Sequence, residues 1–191
     1  MKYELSFIQG ETKMNEKLEN FLCKEYTILY KQRNLPMNQT CMCWGFECQN
    51  GWYDIINELS YELEEINKTL VAKGLPPIEA EQVKEKFGGL RYYTNGVPYI
   101  GIKEKIAQKF NSILRKTFFS KLGQKIPYNW KICNILTFNN ELKVYKFINK
   151  AEEKASVTCE ICGSTGKTRW DLGWVQTLCI EHYLEILDKK K

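Results

Sequence analysis

Three observations predict an α+β fold. Apolar residues recur at helical spacing in three long segments, no regular alternation of strands with helices accompanies them, and the chain closes on two cysteine-containing knuckles. The expected architecture is about four helices packed with a small sheet of short strands. A C-terminal zinc-ribbon or knuckle hairpin should dock on this core through Trp170 and Trp174.

After a short opening strand (Lys2 to Ile8), Leu18, Phe21, Leu22, Tyr26 and Leu29 mark the apolar face of a helix between about Thr12 and Arg33, with Thr12 or Asn15 as its cap. Leu35-Pro36 ends it. The next loop holds Cys41, Cys43 and Cys48 around Trp44. Their spacing matches no common metal knuckle, so packing beneath Trp44 and Trp52 is favoured over a second metal site.

Gly51-Trp52-Tyr53-Asp54 opens a second helix with Ile55, Ile56, Leu59, Leu63, Ile66 and Leu70 on one face and Glu58, Glu62, Glu64 and Glu65 on the other. Gly74 and Pro76-Pro77 terminate it. Glu58 and Glu62 lie four apart, as paired acid/base carboxylates would, but a solvated helix face explains them more simply.

Val83 to Tyr93 reads as a helical turn passing into a strand in which Leu90 and Tyr92 alternate with Arg91 and Tyr93. Gly88-Gly89 permits a bulge or close backbone approach. With Lys84, Lys86 and Arg91 beside it, this run is a candidate phosphate cradle, although a glycine-kinked edge strand explains it slightly more simply.

Charge is unevenly placed in a chain of net +5. Residues 51–86 carry eight Asp/Glu against four Lys, a net of −4, and residues 97–150 carry eleven Lys/Arg against two Glu, a net of +9. The basic stretch contains a helical pattern (Ile106, Phe110, Ile113, Leu114, Phe118), a Pro127-Tyr128-Asn129-Trp130 turn, a strand near Ile132 to Phe138 and the start of a third main helix. On that helix Lys143, Lys146, Lys150 and Lys154 form a stripe opposite Val144, Phe147, Ile148, Ala151 and Ala155. The organisation is thus a helical part with the Gly-Gly strand (1–96), a basic aromatic-rich insertion (97–150) and a knuckle region (151–191) packed on the same core.

Cys159-Glu160-Ile161-Cys162 is answered by Cys179-Ile180-Glu181-His182 with sixteen residues between. Each knuckle puts two ligand atoms on one side of a tight turn, and Gly163, Gly166 and Gly173 serve the turns of the returning hairpin. Three thiols and an imidazole are what a closed tetrahedral zinc site takes, so Cys159, Cys162, Cys179 and His182 are expected to bind one structural zinc. His182 is the only histidine in the chain. No apolar run reaches about 18 residues and no signal-peptide pattern opens the sequence, so the chain reads as soluble and cytoplasmic, without a membrane partner. In a reducing compartment eight cysteines favour metal over disulfides.

Four blocks in one order carry a resemblance: Gly51 to Ile56, Val83 to Tyr93, Ala151 to Ser156 leading into Cys159 to Gly163, and Gly173 to His182. Together they resemble a family of small phage and prophage zinc-knuckle proteins, most without an assigned function. The resemblance covers about half the chain. It implies a phage genome, and hence the host cytoplasm, with metal ligands at the knuckles; it implies no reaction. The stretch from Tyr93 to Ala151 is longer than the family leads one to expect.

Three functions follow from the residues. One is a non-enzymatic binder of an anionic nucleotide-type ligand, for instance a host defence messenger, with Lys84, Lys86, Gly88, Gly89, Arg91, Tyr92 and Tyr93 at its site. Another is a nucleic-acid-binding zinc protein using Lys143, Lys146, Lys150 and Lys154. A metal-dependent hydrolase of nucleotides or phosphodiesters is the weakest, because the sole histidine is spent on zinc and four protein ligands leave no position for water. Phage resemblance favours the binder.

Overall fold

A computed structural model describes residues 13–95 and 140–189. In these residues the chain is α+β, with four α-helices, a three-stranded mixed sheet and a two-stranded antiparallel one. The elements are α1 (Glu16–Glu25), β1 (Phe46–Glu47), α2 (Tyr53–Ala72), β2 (Ala80–Lys86), β3 (Gly89–Thr94), α3 (Asn140–Ala155), β4 (Lys167–Arg169), β5 (Gln176–Leu178) and α4 (Ile180–Lys189). The expected opening strand and the elements expected between 97 and 139 lie outside the described residues.

The first helix is shorter than the periodicity suggests. Asn15 is the cap, its side-chain oxygen accepting from the Lys17 amide at 2.9 Å, and α1 stops at Glu25. Leu29 and Tyr30 follow in turns that bury them all the same, whereas Phe21 stands 51% exposed. Periodicity ran on because turns and a 3-10 segment (Lys31–Asn34) return apolar residues to the core at nearly helical spacing.

The second helix matches its pattern closely. Ile55, Ile56, Leu59, Leu63 and Leu70 are buried. Its end is a Schellman motif, with Gly74 N donating to Val71 O at 2.9 Å and Leu75 N to Leu70 O at 3.0 Å.

Val83 to Tyr93 forms a hairpin rather than a helical turn leading into a strand. β2 and β3 pair antiparallel from Lys86↔Gly89 through Val83↔Tyr92, and β1 joins β2 in parallel with Phe46 beside Val83. The two-residue turn is Phe87-Gly88, both at positive φ (54° and 74°), as the sheet's right-handed twist requires of a tight hairpin. Read without its partner strand, Val-Lys-Glu-Lys has no alternation to reveal β2.

Inside, Phe46, Val83, Leu90 and Tyr92 meet α1, α2 and α3. Val144, Ile148, Ala151 and Ala155 supply the buried face of α3, as its spacing predicts. α3 packs against α2 and β3, so the boundary expected at residue 150 falls within a helix of the core. A buried chain of hydroxyls crosses this core: Tyr92 donates to Tyr30 (3.1 Å), Tyr30 to Ser60 (2.5 Å), and Ser60 to the Ile56 carbonyl (2.6 Å). Because Ser60 spends its hydrogen on the helix backbone, the direction of the chain is fixed and every oxygen in it is satisfied.

Candidate metal centre

The first knuckle is a turn closed by backbone bonds, Gly163 N to Cys159 O at 2.9 Å and Cys159 N to Ser164 O at 2.7 Å. This leaves the Cys159 and Cys162 side chains converging on one point. The second pair comes from the seam between β5 and α4: Cys179 follows the strand, His182 lies in the first turn of the helix, and the i, i+3 spacing stacks the two on one side. The Glu160 amide donates to Thr177 O at 3.0 Å and brings the pairs together.

Cys159, Cys162, Cys179 and His182 are the only group of metal-ligating side chains to converge among the described residues, with all ligand atoms within 4.8 Å of one another. Cys162 Sγ lies 3.8 Å from Cys179 Sγ, and His182 Nδ1 lies 3.5 Å from Cys159 Sγ and 3.1 Å from Cys179 Sγ. Metal–sulfur bonds of about 2.3 Å and metal–nitrogen bonds of about 2.0–2.1 Å at the tetrahedral angle place S···S at about 3.8 Å and S···N at about 3.6 Å. Two of the three separations match and the third, from Cys179 Sγ to His182 Nδ1, is shorter by about half an ångström. The set therefore fits a single four-coordinate ion.

The two sulfurs of the first knuckle differ in how readily they lose their protons. Burial pushes the Cys159 thiol up to about 12 against the pull of the Cys179, Cys162 and Ile161 amides, which donate toward it. Cys162 is also penalised by burial, but the Ser164 hydroxyl and amide and its cysteine neighbours outweigh this and hold it below the ordinary thiol value. A metal completes what the amides begin, since binding displaces the thiol protons.

Trp170 and Trp174 do not dock the knuckle region on the core; they stand 73% and 67% exposed. Docking is polar and uses residues to which the sequence assigns other roles or none. Gly51 N donates to Glu160 O and Trp52 Nε1 to Thr158 O, both at 2.8 Å, while Thr177 Oγ1 donates to Gly88 O at 2.6 Å. Any side chain at Gly51 would collide with the Cys159 carbonyl and the Gly163 amide, so glycine there is a condition of the close approach.

Glu160 lies between two ligands and is 3% exposed. Its Oε1 accepts from Gln49 (3.0 Å) and Gln176 (2.8 Å), bridging the two parts of the molecule, and Oε2 is buried without a partner. Burial raises its carboxyl to about 7; the Gln176 bond opposes this, nearby Glu85 adds to it and Gln49 also opposes it. Nothing in a lone Glu inside a knuckle signals this role.

The hairpin residues divide. In-register pairing sets Lys84 beside Arg91 and Gln82 beside Tyr93 on the side opposite Val83 and Tyr92. There Lys84 Nζ lies 5.6 Å over the Tyr93 ring and Lys86 Nζ 5.4 Å over Phe87. Tyr92 is not on this face: its ring is buried and its hydroxyl is held by Tyr30. Gly88 is no phosphate cradle either, since its N–H is taken by Glu85 Oε1 at 2.5 Å and its carbonyl by Thr177. Gly89 is half-buried beside the Arg91 guanidinium. Arg91 donates to Leu90 O at 2.8 Å and stands 3.8 Å from Glu152, whose other oxygen accepts from the Tyr92 amide and so covers the edge of β3.

Of the lysine stripe, Lys143 and Lys146 are exposed, whereas Lys150 (3.1 Å) and Lys154 both pair with Glu58 across the α2–α3 contact. Glu58 is thus an interhelical ion-pair partner and not half of a carboxylate dyad with Glu62. Cys41, Cys43 and Cys48 form no metal-ligating group; Cys48 is buried and Cys43 donates to Thr40 O. No helix among the described residues is long and apolar enough to cross a membrane.

Comparison with known proteins finds no family model, curated protein or solved structure that matches this chain. What it does must be argued from its own residues.

Proposed function

We propose that the protein is a non-enzymatic binder whose C-terminal unit is clamped by one structural zinc ion and whose β2–β3 hairpin takes an anionic, nucleotide-type ligand. Zinc is the metal that three thiolates and one imidazole at tetrahedral separations suit best.

The observation that carries the ligand reading is the outward face of the hairpin. Lys84, Lys86, Arg91 and Tyr93 stand on one side of two paired strands, with a cation already over an aromatic ring. Lysine and arginine supply point charge and a planar fork for phosphate, and Tyr93 supplies a face for a base. The α3 stripe is a poorer candidate, because two of its four lysines are already engaged by the single Glu58 carboxylate. Opposition to host defence rests on the phage resemblance alone.

Isothermal titration of the metal-loaded protein with ADP tests this. Lys84→Ala or Arg91→Ala is expected to weaken binding about ten- to a hundredfold, the loss of one charge-assisted bond. Absence of binding by the wild type, or unchanged binding by both variants, contradicts the reading.

A further inference from the structure

The hairpin tip does not end in solvent. Gly88 is buried against the metal-bound unit, where a side chain at that position would meet the Thr168 methyl at 3.2 Å and the Thr177 hydroxyl at 3.3 Å. Thr168 and Thr177 are cross-strand partners in β4 and β5, their hydroxyls 3.1 Å apart, so the tip sits on the middle of that ribbon. Phe87, next to Gly88, is 66% exposed and held at φ 54°, a conformation an aromatic residue rarely adopts. Trp170 is two residues from Thr168, and Trp174 two from Gln176, whose backbone also touches the Gly88 position. Three exposed large rings thus belong to residues within two positions of the Gly88 contact, in a molecule whose other tryptophan at the seam, Trp52, is fully buried.

The charge around these rings is positive. Residues 82–93 carry Lys84, Lys86 and Arg91 against Glu85, and residues 167–176 carry Lys167 and Arg169 against Asp171; three minus one and two minus one give a net of +3. Asp171 is turned toward Tyr183, accepting from its hydroxyl at 2.5 Å, and the Arg169 guanidinium lies 4.2 Å over the same ring. By contrast α4 carries Glu181, Glu185 and Asp188 against Lys189. Exposed rings interleaved with cations suit a chain of bases joined by phosphates, whereas an apolar protein patch gains nothing from the lysines.

We propose that the hairpin face continues across its tip onto this aromatic platform, and that the ligand is a short single-stranded oligonucleotide rather than a mononucleotide. Tyr93, Lys84 and Lys86 hold one nucleotide, Phe87 lies at the crossing, and Trp174 and Trp170 stack the bases that follow. This extension rests on the hairpin reading above, and Trp170 and Trp174 act only in the extension.

The test is fluorescence anisotropy of a labelled ten-nucleotide uridine strand on the metal-loaded full chain, with uridine diphosphate titrated in parallel. The expected result is tighter binding of the strand than of the mononucleotide, weakened about five- to a hundredfold by Trp174→Ala and further by adding Trp170→Ala, while uridine diphosphate binding is unchanged. Trp174→Phe should retain most of the affinity, which separates loss of a stacking face from loss of folding. Equal affinity for strand and mononucleotide, insensitive to both tryptophans, overturns the extension and leaves the hairpin site standing. Binding of neither overturns both. Strand binding absent while vesicles of anionic phospholipid are bound through the same tryptophans also overturns it, in favour of a membrane surface.

Discussion

The two cores of this molecule are built on different terms. Among the described residues the larger joins twenty-three buried apolar residues from α1, α2, the three-stranded sheet, α3 and the turns between them. The smaller, within residues 157–189, buries Cys159, Leu172, Leu178 and Cys179 with five partly buried side chains against them, and two of those four belong to the candidate metal centre. A unit of that size buries too little apolar surface to offset the entropy of ordering its chain. The difference motivates the proposal made above: packing holds the first, and an ion at the Cys159, Cys162, Cys179 and His182 cluster would hold the second.

The largest expected effect comes from removing the ion. Apparent binding free energies of structural zinc in small domains run to about 10–16 kcal/mol, and they are folding free energy for the unit that binds. Cys159→Ser should therefore unfold the C-terminal unit while α2 and the three-stranded sheet persist. Circular dichroism should show most helix retained, with loss confined to the amount α4 contributes; wholesale loss of helix would mean the two cores are not separable.

Next in size is Leu63→Ala, which empties a fully buried position in the larger core. The expected cost is about 2–5 kcal/mol in urea unfolding. It should leave metal stoichiometry unchanged, and a drop in bound metal would show that the small core leans on the large one more than its few polar bonds suggest.

Gly51→Ala attacks the seam between them. The added methyl has nowhere to go beside the Cys159 carbonyl, and an overpacked contact costs about 1–3 kcal/mol. Separation of one thermal transition into two is the signature to look for, and an unaltered single transition would place the seam elsewhere.

The smallest effect belongs to Glu58. Hydrogen bonds from Lys154 and then Lys150 hold its carboxyl below the usual carboxylate value. A depressed folded-state value means the stabilisation is present above the unfolded value of 4.5 and disappears as pH falls through the folded one. The group is about half exposed, so solvent screening limits the pair to at most about 1 kcal/mol. Glu58→Gln should lower the urea midpoint slightly at pH 7, and the gap from wild type should close on acidification.

Legibility in the sequence followed the same division. Elements whose residues interact with near neighbours could be read: the α2 face, its end at Gly74, the apolar side of α3, and the ligand spacing that brings Cys159, Cys162, Cys179 and His182 together. What could not be read depends on partners far along the chain. The parallel pairing that sets Phe46 beside Val83, the burial of Tyr92 on Tyr30, the capture of Lys150 and Lys154 by Glu58, and the docking through Gly51 and Thr177 each join residues thirty or more positions apart. Trp170 and Trp174 are expected at an interface that backbone amides and carbonyls, the Trp52 indole and the Thr177 hydroxyl fill instead.

The central claim is that metal, rather than apolar packing, holds residues 157–189 in place. Hydrogen–deuterium exchange of the protein before and after stripping with a strong chelator tests it most directly. The account predicts one metal ion per chain at the start, then loss of protection at Gly163, Gly166 and Tyr183, whose amides are bonded within this unit, with α2 amides unchanged. Persistent protection of those amides in metal-free protein would contradict it.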